Sequence, residues 1–373
     1  MIKEDWKVMI SMLPADWQKK AEETGALKGL RKNKSAENLL RTLLIHLAQG
    51  LSLRETAVRA REAQLAEMSD VALLKRLRKS SRWLAEINKS LLEEMRGDIS
   101  AGTEEGLEFR VFDSTIVKEP GKTGSLWRIH YSLRLPSLQC DFFKVTPTEG
   151  RGNGESFGQF EINAGDHIMA DRGYGRLPGI EYTSEKEAAL LVRISPHHLV
   201  IGDEKGQPFG WMKKLEEINV AGETFSWNVF LTGINGKKIK GRVCVLKKSG
   251  LAIRAAHKRI KKHAIKKCQK LMPETLIYAK YVIVFTTFEE SRFPADEIMR
   301  LYRLRWQIEL VFKRFKQLAQ LGHLPKYEDE SSKAWLYGKL LIALLTEKLI
   351  WQAQTFSPWG YDIEKERSSQ PLA

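Results

Sequence analysis

"LEFRVFDST", residues 107 to 115, is where the 373-residue chain changes character. Before it, apolar residues recur every three or four positions, the period of a helix. From it onward they alternate, the period of a strand. The run predicts a strand that ends at Asp113, with small hydroxyl residues after it.

Downstream the alternation continues. "LWRIHYSLRL" (126–135) sets Trp127, Ile129, Tyr131, Leu133 and Leu135 on one face and Arg128, His130, Ser132 and Arg134 on the other. Pro136-Ser137 turns the chain into a third strand, "LQCDFFKV" (138–145). The glycine-rich "EGRGNGESFG" (149–158) is a loop leading to a short helix. "HIMADRGYG" (167–175) is an apolar strand stopping at Asp171, and "AALLVRI" (188–194) is another strand. Residues 195–290 have the features of an insertion. They hold a β-hairpin with Asn235-Gly236 at its turn, a very basic helix "AIRAAHKRIKKHAIKKCQK" (252–270) and a strand "KYVIVFTTF" (280–288). A single long helix is expected over 295–322.

Upstream, residues 1 to about 98 are helical. Leu39, Leu40, Leu43, Leu44 and Leu47 share one helix face, with Gly50 as its stop. Ser52 stands three residues before Glu55, the spacing of a capping box. "SDVALLKRLRKSSRWLAEI" (69–87) is expected to be one helix opened by Ser69 or Asp70, with Lys75, Arg76, Arg78 and Lys79 largely outward. A helix-turn-helix-like DNA reader and a helical bundle with solvated basic faces both satisfy this pattern.

Lys+Arg is 61 against Asp+Glu 46, a formal charge of +15. Such an excess calls for a polyanionic partner, with nucleic acid foremost, because clustered cations gain affinity by releasing condensed counterions. Cys140, Cys244 and Cys268 offer neither a CxxC pair nor zinc spacing. With an N-terminus broken by charges, they point to a reducing cytoplasm. "AWLYGKLLIALLTEKLIWQA" (334–353) is interrupted by Lys339, Glu347 and Lys348, so it suits a buried helix and no membrane partner is expected.

The long helix contains "YRLRWQIELVFKRFK" (302–316), in which one acid, Glu309, lies among basic residues. At roughly 100° per residue, Tyr302, Arg305, Glu309 and Lys316 fall within about 60° of one face. Leu304, Ile308, Val311, Phe312, Phe315 and Leu318 form the neighbouring core stripe. Spacing alone permits a surface helix with ordinary ion pairs. Asp113 and Asp171, each at the end of an apolar strand, change that reading, since strand ends of an α/β sheet open onto clefts. Three carboxylates from two strands and a helix suit two divalent cations about 4 Å apart and phosphoryl transfer. Their oxygen donors favour Mg²⁺, with Mn²⁺ as a substitute. Asp166 and Asp141 compete for the same role, the first in a turn before its strand and the second within one.

Tyr302-x2-Arg305-x3-Glu309-x6-Lys316 resembles the YREK signature of cut-and-paste bacterial transposases of the insertion-sequence-four family. "FDST" (112–115) and "ADRGYG" (170–175) are similar to the surroundings of that family's two catalytic aspartates, and "SDVALLKRLRKSSRWL" (69–84) to its N-terminal domain. The resemblance implies an α/β protein with an RNase H-like catalytic domain carrying a β-rich insertion. An all-helical DNA-binding domain precedes it and a short helical C-terminal segment follows. The expected boundaries are 1–98, 99–194, 195–290, 291–325 and 326–373. It implies a catalytic and metal-binding triad of Asp113, Asp171 and Glu309, with Tyr302, Arg305 and Lys316 on the DNA. It further implies cleavage at terminal inverted repeats, joining of 3′-hydroxyls to target DNA, and a homodimer holding two ends. Hairpin-forming relatives carry an aromatic, usually Trp, at the start of the insertion's last strand; Tyr281 stands at that offset, where an ordinary strand aromatic fits equally. Lys258, Arg259, Lys261 and Lys262 of the basic helix and Lys75, Arg76 and Arg78 complete the expected DNA contacts. A related nuclease without strand transfer and a DNA-binding regulator derived from a transposase are the alternatives.

Other chemistries lack their residues. "GKTG" (121–124) has no preceding P-loop glycine, and the eight histidines form no HExxH. His130, on the polar face of its strand, is expected to be structural.

Overall fold

The computed structural model describes residues 3–30, 34–102, 107–118, 126–150, 152–234, 236–317, 324 and 328–355. Helices come first: α1 (Lys3–Ser11), α2 (Trp17–Glu23), α3 (Ala36–Gln49), α4 (Leu53–Glu62), α5 (Asp70–Lys79) and α6 (Ser81–Gly102). Ser52 and Ser69, predicted to start helices, do so, and Ser35 does the same. Ser35, Ser52 and Ser69 accept hydrogen bonds from the amides of Asn38, Glu55 and Ala72 at 3.1–3.2 Å, satisfying donors that a helix start leaves open. Gly50 ends α3 at φ 67°, a left-handed geometry that glycine adopts without strain. The stretch 69–87 is two helices and not one, because the chain breaks at Ser80.

The chain divides into two compact units, one helical and one built on a sheet. The helical unit joins α1–α6 to a late helix, α13 (Asp329–Thr355). The expected separate C-terminal segment is therefore part of the N-terminal bundle. Arg78 pairs with Glu328 at 3.0 Å, Lys348 with Glu94 at 3.2 Å, and Asn88 donates to the Tyr337 carbonyl at 2.8 Å. Among the described residues no helix is long and apolar enough to cross a membrane.

The second unit holds β1 (Phe109–Lys118), β2 (Leu126–Leu135), β3 (Cys140–Pro147), β4 (His167–Ala170), α7 (Leu177–Glu185) and β5 (Ala189–Arg193). After these come β6 (Ile201–Gly202), α8 (Trp211–Glu216), β7 (Thr224–Thr232), β8 (Lys238–Lys247), α9 (Gly250–Lys266), α10 (Pro273–Tyr278) and β9 (Tyr281–Thr286). Next are α11 (Ala295–Leu304) and α12 (Gln307–Gln317), within which the unit boundary falls. One nine-stranded sheet runs β3-β2-β1-β4-β5-β9-β8-β7-β6. β1, β4 and β5 are parallel neighbours, while β1–β2–β3 is an antiparallel meander. The strands of 195–290 thus extend the same sheet through the antiparallel β5–β9 pair. At the hairpin turn Gly236 has φ 75°, and Asn235 lies outside the described residues.

Three expectations change. β1 does not stop at Asp113. It continues five residues through the β-branched Thr115, Ile116 and Val117, because β2 keeps pairing it as far as Lys118↔Leu126. The second face of β2 is covered rather than polar: His130 and Ser132 are fully buried, and His130 meets the Thr146 hydroxyl at 3.1 Å. The helix expected over 295–322 breaks between Leu304 and Gln307. There the amides of Arg305, Trp306, Ile308 and Glu309 bond three residues back, at 3.0–3.3 Å. A three-residue turn rotates the chain further per residue than an α-helix does, so Tyr302 and Lys316 do not share one unbroken face. Ile308, Val311 and Phe312 remain buried, but Leu304 is 43% exposed. Leu318 and the Phe315 side chain lie outside the description.

One sheet face packs a continuous core that includes Phe112, Phe160, Ala170, Val192, Val243 and Phe285. By the alternation of a strand, Val111, Met169 and Leu191 face the other way. Phe312 of α12 meets Tyr131 of β2 at 5.8 Å between ring centroids.

Candidate active site

The parallel pairing sets Phe112 opposite Ala170 and Ala170 opposite Val192. Asp113, Asp171 and Arg193 each come one residue later, so they stand in a row across three neighbouring strands, β1, β4 and β5. Phe112, Ala170 and Val192 belong to the first core. The row therefore projects on the opposite face. Each aspartate is steadied locally. Asp113 accepts from the Ser114 amide at 2.7 Å and Asp171 from the Gly173 amide at 2.9 Å.

Asp171, Arg305 and Glu309 line a cleft of about 750 Å³, together with Arg172, Arg193, Lys248 and Arg259. Arg305 organises one side. Its guanidinium donates to Glu309 at 2.6 Å, stands 4.0 Å from Asp113 and lies 5.6 Å above the Tyr302 ring. The tightened turn at 305–306 thus gathers Tyr302, Arg305 and Glu309. Lys316 is exposed, two turns further along α12.

Burial pushes the Asp113 carboxyl up to about 7. The Ser114 amide and Arg305 pull it down, while the carboxylates of Asp171 and Glu155 push it further up. Glu155 was not singled out by sequence, yet it accepts from Arg128 at 3.0 Å and from the Ser114 hydroxyl at 3.3 Å. Arg193 was also missed. Its only signal was its place one residue beyond a buried strand run, which means little until the register with Asp171 is known.

The competing acids are engaged elsewhere. Arg110 is paired with Asp141 at 2.7 Å and with Asp166 at 2.6 Å, and also donates to the Glu161 carbonyl at 2.8 Å. That buried cluster is structural. Tyr281 matches the ordinary strand aromatic: it is only 6% exposed and belongs to the core, and its hydroxyl donates to the Leu215 carbonyl at 3.0 Å. Its residue contributes to the cleft lining, but the ring offers no open platform for a base.

On α9 no residue is buried, and Lys258, Arg259, Lys261 and Lys262 are all exposed. In the helical unit Lys75 and Arg78 are exposed, the latter paired with Glu328. Arg76 is committed to the chain itself, donating to the Lys28 and Gly29 carbonyls at 2.7 Å each.

The donor chemistry suits a hard divalent cation: carboxylate oxygens, one of them held back from ionising by burial and neighbouring acids. Among the described residues, no three His, Cys, Asp or Glu side chains stand close enough to hold an ion as the chain lies. Arg305 meanwhile occupies Glu309 as a counter-charge.

Residues 155–345 match the transposase DDE domain family, a span that includes Asp171 and Glu309 and begins after Asp113. The transposase for insertion sequence element IS421 of Escherichia coli is 30% identical, across 97% of this chain and 98% of its own. That for IS231B of Bacillus thuringiensis subsp. berliner is 25% identical, across 88% of this chain and 76% of its own. Such a family implies a divalent metal in general and DNA as the molecule acted on. With a domain match over half its length and a relative aligned nearly end to end, the chain belongs to the family of DDE-domain transposases.

Proposed function

We propose that this transposase nicks DNA at the ends of an insertion sequence and joins the freed 3′-hydroxyls to target DNA, using Asp113, Asp171 and Glu309. One observation carries the reading. Asp113 and Asp171 stand level on adjacent parallel strands, and Glu309 lines the cleft that Asp171 opens onto. The strand order β3-β2-β1-β4-β5, three antiparallel then two parallel, supports an RNase H-like core carrying the later strands as its insertion.

Asp113, Asp171 and Glu309 would hold Mg²⁺, in two ions, with Mn²⁺ able to replace it. When bound, such ions activate an attacking water or hydroxyl and stabilise the leaving oxygen. The chain's own residues do the rest. Arg305 positions Glu309 and presents cationic charge to a phosphate, and Tyr302 supports the Arg305 guanidinium from beneath. Lys316 and the α9 cations Lys258, Arg259, Lys261 and Lys262 neutralise the backbone, while Lys75 serves the end-binding helices, which Arg76 and Arg78 brace through the Lys28 and Gly29 carbonyls and Glu328. The family resemblance of the Tyr-Arg-Glu-Lys spacing supports these roles, as does pairing of two copies, one per terminal repeat.

An assay of end-labelled element DNA with Mg²⁺ tests the reading. Nicked products followed by joined products are expected. Nicking without joining would make the protein a nuclease, and binding without either would make it a regulator.

A further inference from the structure

Four cations line the cleft beside the carboxylates of Asp171 and Glu309. Arg193 ends β5, Arg172 follows Asp171, Lys248 follows β8 and Arg259 lies on α9. Burial and then Tyr302, Arg172, Asp171 and Arg259 act on Arg193, with a net lowering of its pKa. The Lys248 ammonium is driven down to about 8 by burial, then by Arg193, Arg259 and Arg172. It donates to the Ala279 carbonyl at 2.7 Å. Among the described residues no ion pair holds Arg172, Arg193 or Arg259. Asp171 is one acid beside these four cations, and like charges gathered this way raise the free energy of the fold unless a further anion joins them.

We propose that Arg172, Arg193, Lys248 and Arg259 form an anion subsite that takes one phosphodiester of the DNA strand lying in the cleft. This rests on the transposase reading and adds a residue-level site to it. Guanidinium forks match phosphate oxygens in pairs, which a lone carboxylate of a peptide would not require in such number. Register fixes the place. Arg193 stands one strand over from Asp171, and neighbouring strands lie about 4.8 Å apart. The phosphate taken here is therefore a neighbour of the one the carboxylates address. The two walls also come from different parts of the chain, the β4–β5 region and the β8–α9 corner, so a bound strand would tie them together.

The test uses the full-length protein, a labelled duplex of the element end, and inorganic tripolyphosphate. In salt titrations, the Arg193→Gln/Arg259→Gln double variant should lower the slope of log affinity against log salt by up to roughly 0.9, one phosphate's worth, and each single variant by part of that. Lys205→Gln, on an exposed turn, should leave it unchanged. Without ligand, Arg193→Gln should melt no lower than wild type, since it removes repulsion. Tripolyphosphate should raise the wild-type melting temperature and leave that of the Arg172→Gln/Arg193→Gln variant unmoved. A wild-type slope in the double variant would overturn the subsite while leaving DNA as the partner. Tripolyphosphate protection with unchanged DNA slopes would assign the site to free phosphates and overturn it too. Salt-independent binding by wild type would instead sink the DNA reading itself.

Discussion

Arg305 donates to Glu309 at 2.6 Å and so holds, on a guanidinium, the carboxylate that a metal would need. The pair is partly open, with the Glu309 side chain 57% exposed, so its strength is that of a surface ion pair, about 1 kcal/mol or less. Arg305→Ala should then tighten Mn²⁺ binding by up to about fivefold. It should also lower the salt slope of DNA binding by about one. Titration calorimetry with Mn²⁺ checks the first effect. Unchanged metal affinity would mean that Arg305 and the ion do not compete.

Loss of a carboxylate should separate chemistry from binding. Asp113→Ala, Asp171→Ala and Glu309→Ala should each reduce nicking to background while keeping end affinity within about threefold. Gel-shift and nicking assays on the same preparations read both. Near wild-type nicking by any one variant removes that residue from the triad.

Two glycines of "ADRGYG" should answer differently to alanine. A Cβ at Gly175 would run into the Arg193 carbonyl oxygen, which is backbone of a central strand and cannot give way. Gly175→Ala should cost about 1–3 kcal/mol, seen as a lowered urea midpoint. A Cβ at Gly173 meets only the end of the Glu155 side chain, which can swing aside at the expense of its pairing with Arg128. Gly173→Ala should be the milder change in stability. Equal costs would show that the Arg193 carbonyl does yield.

The helical unit buries a lysine. Lys339 is 1% exposed, its ammonium has no hydrogen-bond acceptor among the described residues, and it lies 4.8 Å from the Trp335 ring centre. Burial drives its pKa down to about 8 from 10.5. Below pH 8 both folded and unfolded chains carry the proton, and the cost of burying charge, roughly 3 kcal/mol at most, is fully present. Between pH 8 and 10.5 the unfolded chain holds more protons, so stability rises with pH there. Lys339→Met should thus be the more stable protein at pH 7, with the difference shrinking toward pH 10. Denaturant melts across that range give the difference, and a constant gap would assign it to packing alone.

Tyr281 is a core residue, and replacing its aromaticity should not alter the cutting of the second strand. Tyr281→Leu loses the hydrogen bond to Leu215, about 1 kcal/mol, and some packing. The ratio of second-strand to first-strand cleavage on denaturing gels should stay at the wild-type value. A stacking role predicts a fall of about tenfold or more, since base–aromatic stacking is worth roughly 1–3 kcal/mol.

Much of the local structure was legible. Ser52 and Ser69 announced their helices because a cap is a contact between residues three apart. β2, β3, β4, β5 and β9 appeared as alternating or apolar runs for the same local reason. The break at 304–307 was not legible, because no proline or glycine marks it and every residue there favours helix. Burial of His130 was equally hidden, since a polar side chain facing a second core layer resembles one facing water.

Sequence by itself determined most of the elements, the excess of positive charge and the order Asp113, Asp171, Glu309 with its resemblance to a transposase. These depend on composition and on neighbours along the chain. Only the tertiary structure decided that Asp113, Asp171 and Arg193 stand in one row, that Arg110 claims Asp141 and Asp166, and that Tyr281 lies in the core. Those facts depend on which strands pair and in what register. Pairing is settled by burying both faces of the sheet at once, a condition that no short stretch of chain can express.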